Sequence, residues 1–231
     1  MRRLDLVVGP NGAGKSTFVA LTLAPLLPAA LFVNADEIAK SRWPDEVAAR
    51  AYDAARVAAQ TRLALIEHGR SFIAETVFSH ESKLDLIRIA HAAVPASPLL
   101  RRASLNRRAH AHDYTVVLHA VLIPEALAVR RVRYRVAAGG HTVPEEKIRD
   151  RYHRLWPLVA EAIGMADIAT VYDNSHPTGP RIVAQFAGGA EIGELAWPAW
   201  TPEALAPGSL GHLHDELADI LAVEQHVDGR R

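Results

Sequence analysis

The sequence predicts an α/β protein with a mostly parallel sheet and helices on both faces. Three observations carry that prediction. Short apolar runs alternate with longer segments of helical period through most of the chain. A glycine-rich loop stands where the first run gives way to the first helical segment. The 231 residues, 49% hydrophobic, suffice for one such domain with an appendage and are too apolar for a disordered chain.

The elements follow in order. "LDLVV" (4–8) reads as a buried strand and "KSTFVALTLAPLL" as the helix after the loop. "ALFVNADEI" gives a second strand that ends near Asn34. "PDEVAARAYDAARVAAQTRLALIEHG" predicts a long helix, with Pro44 in its first turn and Gly69 at its stop. Val47, Ala51, Ala54, Ala58 and Leu65 would form its apolar face. "SFIAETVF" is a third strand and "ESKLDLIRIAHAA" a helix. "VPASPLLRRASLNRRAHAH" (94–112), with two prolines and no clear period, reads as an inserted loop. Its "RRASL" is like a basophilic kinase site, although a solvated surface loop accounts for it as well. "TVVLHAVLI" is the fourth strand, followed by helices over 124–139 and 145–164. "IATVYDN" and "RIVAQFAG" supply the last strands. The expected organisation is a phosphate-loop domain over 1–190 and an extension over 191–231. The extension would carry an amphipathic helix packed on the outside.

Bulk properties exclude several classes. Lys plus Arg and Asp plus Glu number 26 each, so net charge favours neither nucleic acid nor an anionic membrane. The absence of cysteine excludes disulfides, cysteine zinc sites and thiol nucleophiles. "MRRLDLVVGPNG" lacks a secretory core, and no run reaches the ~18 apolar residues of a membrane span. The expectation is a soluble, cytoplasmic protein.

Gly9-Pro10-Asn11-Gly12-Ala13-Gly14-Lys15-Ser16 fits G-x-x-x-x-G-K-[ST], and Thr17 continues it into the helix. The glycines let the backbone wrap a phosphate, and the helix N-terminus adds partial positive charge. Lys15 can reach the β- and γ-phosphates of ATP or GTP, and Ser16 can offer its hydroxyl to Mg²⁺.

The carboxyl ends of the strands should form the ligand crevice. Asp36, just past the second strand, can take a proton from an attacking hydroxyl, hold a metal-bound water, or cap the next helix. Glu75 and Thr76 end the third strand. An unpaired buried carboxylate is costly, so Glu75 should open onto the crevice to hold substrate hydroxyls, support a metal or form a salt bridge. Residues 131–154 predict a lid of two helices about a Gly-Gly hinge. It carries Arg131 and Arg135 on one face and Lys147 and Arg151 on another. His141 beside the hinge is open to a structural or a catalytic role. Asp173 and Asn174 either lie near the base or cap a strand end. An "LSGGQ" signature, an "NKxD" segment and an apolar run ending in an acidic pair are missing, which argues against transporter, guanine-specific and motor classes.

"GPNGAGKST", "FVNADEIA", "FIAETVFSH" with "KLDLIRIA", "RVRYRVAAGGHTVPEEKIRDRY" and "VYDNS" together resemble the zeta toxin family, over about residues 4–187 with a gap at 94–112. The resemblance implies a nucleotide-kinase-like P-loop fold and an ATP- or GTP-dependent phosphotransferase. Its acceptor would be the 3′-hydroxyl of UDP-N-acetylglucosamine, and an epsilon-type antitoxin would be its partner. By the same resemblance Lys15 is the loop lysine, Asp36 the base, Glu75 the substrate-binding glutamate, and Arg135 and Arg151 the γ-phosphate arginines. Zeta toxins tend to carry a threonine two residues after that glutamate. Val77 stands there instead, with Thr76 directly after Glu75. Two other readings stay open, a nucleotide-dependent switch ATPase and a nucleic-acid 5′-hydroxyl kinase.

Overall fold

The computed structural model describes residues 2–92, 114–139 and 143–206. The expected insertion at 94–112, His141 and the expected C-terminal helix lie outside the described residues. Strand β1 (Arg2–Val8) leads into the loop, and a helix over 15–26, α1, follows. Then come β2 (Leu31–Val33), α2 (Ala35–Arg42), α3 (Ala51–Glu67), β3 (Phe72–Thr76) and α4 (Leu84–His91). The chain continues through β4 (Tyr114–Leu122), α5 (Glu125–Ala137), α6 (Glu145–Met165), β5 (Ile168–Asp173), β6 (Arg181–Ala187) and β7 (Ala190–Glu191).

One sheet holds all seven strands in the order β2-β3-β1-β4-β5-β6-β7. The first five in that order run parallel, and β6 and β7 add antiparallel at one edge. The predicted α/β architecture is thus the observed one. Leu4 and Leu6 are fully buried, in register with Phe72 and Ala74 on β3 and with Val116 and Leu118 on β4. Burial of side chains on both faces explains why these strands read as continuous apolar runs.

Asp5 and His119, two polar groups inside this core, are paired. Asp5, 1% exposed, accepts both Arg3 Nε and Nη2 at 2.7 Å and lies 2.9 Å from His119 Nε2. Burial pushes the Asp5 carboxyl up, but the bonds from His119 and Arg3 outweigh it and hold it below its ordinary range.

Two expectations need correction. The long helix does not start at Pro44. Residues 43–50 close into turns, with Glu46 N on Trp43 O at 3.0 Å, and α3 begins at Ala51. Its buried stripe is Ala54, Ala58, Arg62 and Ile66, whereas Ala51 is exposed. The expected stripe placed Val47 on a helical turn that is not there and counted Ala51, the exposed first residue of the helix, as apolar face. Helix α1 also departs from ideal winding, because Val19–Leu23 is π-helical. Pro25 follows, and its ring offers no N–H to the carbonyl of Leu21, so the wider turn accommodates it.

Candidate active site

The parallel register aligns the carboxyl ends of three strands. Val7 pairs with Glu75, Val8 with Thr76, and Val33 with Ala74. The residues that follow β1, β2 and β3 therefore meet at one end of the sheet.

The loop between β1 and α1 needs its glycines. Gly9, Gly12 and Gly14 have φ of 149°, 78° and 85°. A Cβ on Gly9 would lie 2.4 Å from Val121 O, and one on Gly14 would lie 2.7 Å from Asn174 Nδ2. Ala13 N and Lys15 Nζ both donate to Pro10 O, at 3.2 and 3.0 Å. Lys15 is 7% exposed. Burial pushes its ammonium below the ordinary range, Glu75 and Asp36 oppose that shift, and Arg135 adds to it. The lysine, both carboxylates and Arg135 of α5 thus share a single electrostatic neighbourhood. Thr17 is exposed on the first turn of α1.

Glu75 is the hub. Its Oε1 and Oε2 accept Ser16 Oγ at 3.1 and 2.9 Å, and Oε2 also accepts Asn34 Nδ2 at 2.6 Å. Asn34, 6% exposed, uses its other end as the N-cap of α2. Its Oδ1 accepts Asp36 N at 2.6 Å and Glu37 N at 3.2 Å. Asp36 is therefore not the cap that a favoured N-cap residue type suggested. It sits in the first helical turn, and its exposed carboxylate has no partner among the described residues. Thr76 Oγ1 accepts Phe78 N at 3.3 Å and so holds the chain just past β3, where Phe78 carries a left-handed φ of 63°.

The lid arginines separate. Arg135 lies within reach of Lys15, but Arg151 on α6 is half-buried and partnerless among the described residues. Arg131 packs at the loop itself, since a Cβ on Gly12 would lie 3.2 Å from Arg131 Cβ. Burial, then the neighbouring Arg130, push its guanidinium down, and Asp173 opposes them.

Two functional residues were not assigned from sequence. Asn174 Nδ2 donates to Ala13 O at 2.7 Å and buttresses the loop from the end of β5. Asp173 takes the strand-end role and accepts Ser175 N at 2.8 Å. Asn34 carried a signal in hindsight, because Asn is among the favoured N-caps and stands just before an acidic first turn. The hard oxygens of Ser16 and Glu75 suit Mg²⁺. No group of three or more His, Asp or Glu side chains forms a self-sufficient metal site among the described residues, so such an ion would need oxygens from a bound phosphate. No helix among the described residues is long and apolar enough to cross a membrane.

Comparisons place this geometry among known proteins. Over residues 4–158 the sequence matches the family described as AAA domain. No curated protein matches significantly. Among solved structures the chain resembles AvrRxo1-ORF1:-ORF2 with ATP, at TM-score 0.60 and 17% identity, covering 83% of this chain. It spans 60% of that relative's length. A crystal structure of AvrRxo1-ORF1:AvrRxo1-ORF2 with sulphate ions aligns at TM-score 0.60 and 15% identity, covering 95% of this chain and 76% of that one. The PezAT toxin-antitoxin system of Streptococcus pneumoniae aligns more weakly, at TM-score 0.49 and 13% identity, covering 80% and 72%. The fold is that of the P-loop kinases, and the chain belongs to the AAA domain family.

Proposed function

We propose that the protein transfers the γ-phosphate of ATP, or of GTP, to a hydroxyl of a small molecule. The observation that carries this reading is the exposed carboxylate of Asp36, without a hydrogen-bond partner among the described residues and within electrostatic reach of Lys15. A carboxylate so placed is open to take the proton of an attacking hydroxyl.

Each side chain then has a task. The loop backbone and Lys15 hold the phosphates, and Asn174 keeps the loop in shape from behind. Asp36 accepts the proton of the acceptor hydroxyl as that oxygen attacks phosphorus. Arg135, on the lid, stabilises charge that builds on the transferring group, and Arg151 joins it when the lid closes. Mg²⁺, held by Ser16 with Glu75 beside it, would supply neutralisation of the phosphate charge. Thr76 and Glu75 border the acceptor side of the crevice.

The acceptor class follows from the sequence resemblance to zeta toxins, which favours a UDP-sugar of the UDP-N-acetylglucosamine type. The same resemblance supports an antitoxin partner, and the AvrRxo1 relative crystallised as an ORF1:ORF2 assembly. The test is mass spectrometry of the protein with Mg-ATP, a panel of UDP-sugars and a 5′-hydroxyl oligonucleotide. One added phosphate on a UDP-sugar, lost in Lys15→Ala, is the expected outcome. Phosphate on the oligonucleotide alone would move the protein to nucleic-acid repair. ADP with no labelled acceptor would mark a switch ATPase.

A further inference from the structure

Exposed apolar side chains are ordinary on a protein surface when they stand singly. Here four of them, Leu21, Leu26, Leu31 and Phe32, crowd into residues 21–32, with exposures of 75, 73, 49 and 40%. Other large ones, such as Tyr52, Tyr134 and Ile182, stand on separate elements. The crowded stretch also lacks charge. From Ser16 to Ala35 there is no Asp, Glu, Lys, Arg or His, in a chain that is 23% charged. A surface of this kind is poorly suited to water and well suited to another protein surface.

Local structure gathers these side chains at one edge of the sheet. The π-helical turn over Val19–Leu23, closed by Ala24 N on Val19 O, winds wider than an α-helix and draws Leu21 toward the side of Leu26. A tight turn, with Ala30 N on Leu27 O at 3.0 Å, then carries the chain from Leu26 into β2. Strand β2 stands first in the sheet order and pairs with β3 through Leu31, Phe32 and Val33. No strand lies on its other side among the described residues. Free edges are commonly guarded by Lys or another charge, and this one carries none.

We propose that this face is a self-association surface, on which a second copy of the chain docks about a two-fold axis with edge strand against edge strand. Phe32 is the middle residue of β2, so antiparallel pairing of that strand with its twin places the axis beside Phe32. The inference is independent of the phosphoryl-transfer reading.

Charge, area and topology favour a second copy over another occupant. A two-fold axis sets each residue near it against its own twin, so a charge there would meet a like charge, and none is present. The formal net charge is zero, so no overall repulsion opposes the approach. The four side chains leave on the order of 400–500 Å² of apolar surface open, the size of functional patches. Doubled across the axis, and with the exposed alanines and prolines between them, the contact reaches the ~1,200 Å² at which stable interfaces begin. The chain's own C-terminal segment is poorly placed for this face. The last described residues pack on α6 through the turn that holds buried Leu205, and α6 packs on β4, three places from β2 in the sheet.

The experiment is sedimentation velocity of the full chain from about 1 to 100 μM, the range in which an interface of modest size dissociates. Wild type forms a dimer over that range. Phe32→Glu and Phe32→Lys, each alone, weaken the dimer at least about a hundredfold, because like charges meet at the axis. Mixed in equal amounts, the two variants restore it as a heterodimer. Leu26→Gln weakens association about tenfold without adding charge, and Ile182→Glu, on β6, leaves it unchanged. These positions are exposed, so the variants melt close to wild type and a lost dimer is not a lost fold. Should a Phe32 variant fail to fold, Leu26→Gln carries the test. A wild type that stays monomeric at the highest concentration overturns the proposal, whether residues 207–231 or another protein then covers the face. A dimer that survives the Phe32 and Leu26 substitutions overturns it too. So does a mixture of the Glu and Lys variants that stays monomeric, or a dimer lost in Ile182→Glu.

Discussion

Asn34 offers the sharpest test of how the site is held. One end donates to Glu75 at 2.6 Å, and the other accepts the first N–H groups of α2. The two functions come apart by substitution. Asn34→Ser keeps a good cap but is too short for Glu75, whereas Asn34→Ala loses both. The cap is worth ~1 kcal/mol, and the bond to the carboxylate about 1.5–3 kcal/mol. At ~2–4 °C per kcal/mol for a chain of this size, both variants melt below wild type, and Asn34→Ala about 2–4 °C below Asn34→Ser. The kinetic outcome is different. Both variants release Glu75 from one of its two holders and leave Lys15 and the loop intact. A misplacement near 1 Å costs on the order of a hundredfold. Both should therefore lose about 10–100-fold in kcat, with KM for ATP changed less than about threefold. The assay is ADP release against acceptor concentration, beside thermal melts. Wild-type kcat in Asn34→Ser would refute the reasoning, since Asn34 would then be a cap and nothing more.

Asp36→Asn should bind nucleotide nearly as wild type and lose at least ~100-fold in transfer, the scale of a lost general base. Equal turnover in a single-turnover assay would leave Asp36 without a catalytic role. Gly14→Ala places a Cβ 2.7 Å from Asn174 Nδ2 at a φ of 85°. Left-handed strain of ~1–2 kcal/mol and the clash should weaken nucleotide binding about tenfold or more by calorimetry. Asp5→Asn should cost about 2–3 kcal/mol near neutral pH, because it removes a buried charge from Arg3 and His119. The folded carboxyl titrates below its ordinary 3.8. The stability it contributes is therefore complete above that value and is lost as pH falls through the folded one. The gap in melting temperature between Asp5→Asn and wild type should be constant from pH 5 to 7 and shrink below pH 4. A gap that widens in acid would contradict this.

The parallel strands were legible because burial on both faces leaves mostly apolar runs, as in Leu4–Val8 and at Val116–Ile123, each broken only by one member of the Asp5–His119 pair. The loop was legible because its backbone demands glycine at fixed places, and Gly9, Gly12 and Gly14 meet that demand. What the sequence did not yield depends on contacts distant along the chain. Asn174 reaches Ala13 across 161 residues, and no local pattern announces such a bond. The start of α3 was misplaced for the opposite reason. Alanine-rich sequence over 47–51 favours helix locally, yet residues 43–50 close into turns before the helix begins. Arg62 illustrates a third case. Helical period sets it in line with Ala54 and Ala58, but its charge gave no reason to count it on the buried face.

The two crevice carboxylates acquire different roles from their surroundings rather than from their residue type. Glu75 accepts from two donors, the Ser16 hydroxyl, which lies within reach of both its oxygens, and the Asn34 amide. Glu75 thus presents its carboxylate toward Ser16 and Lys15. Asp36 lies in the first turn of α2 with its oxygens uncommitted among the described residues, and its backbone N–H is fixed by the same Asn34 that fixes Glu75. One asparagine therefore ties the Glu75 carboxylate to the start of the helix that carries Asp36. In the proposed transfer, that leaves Asp36 open to an attacking hydroxyl while Glu75 stays engaged with Ser16.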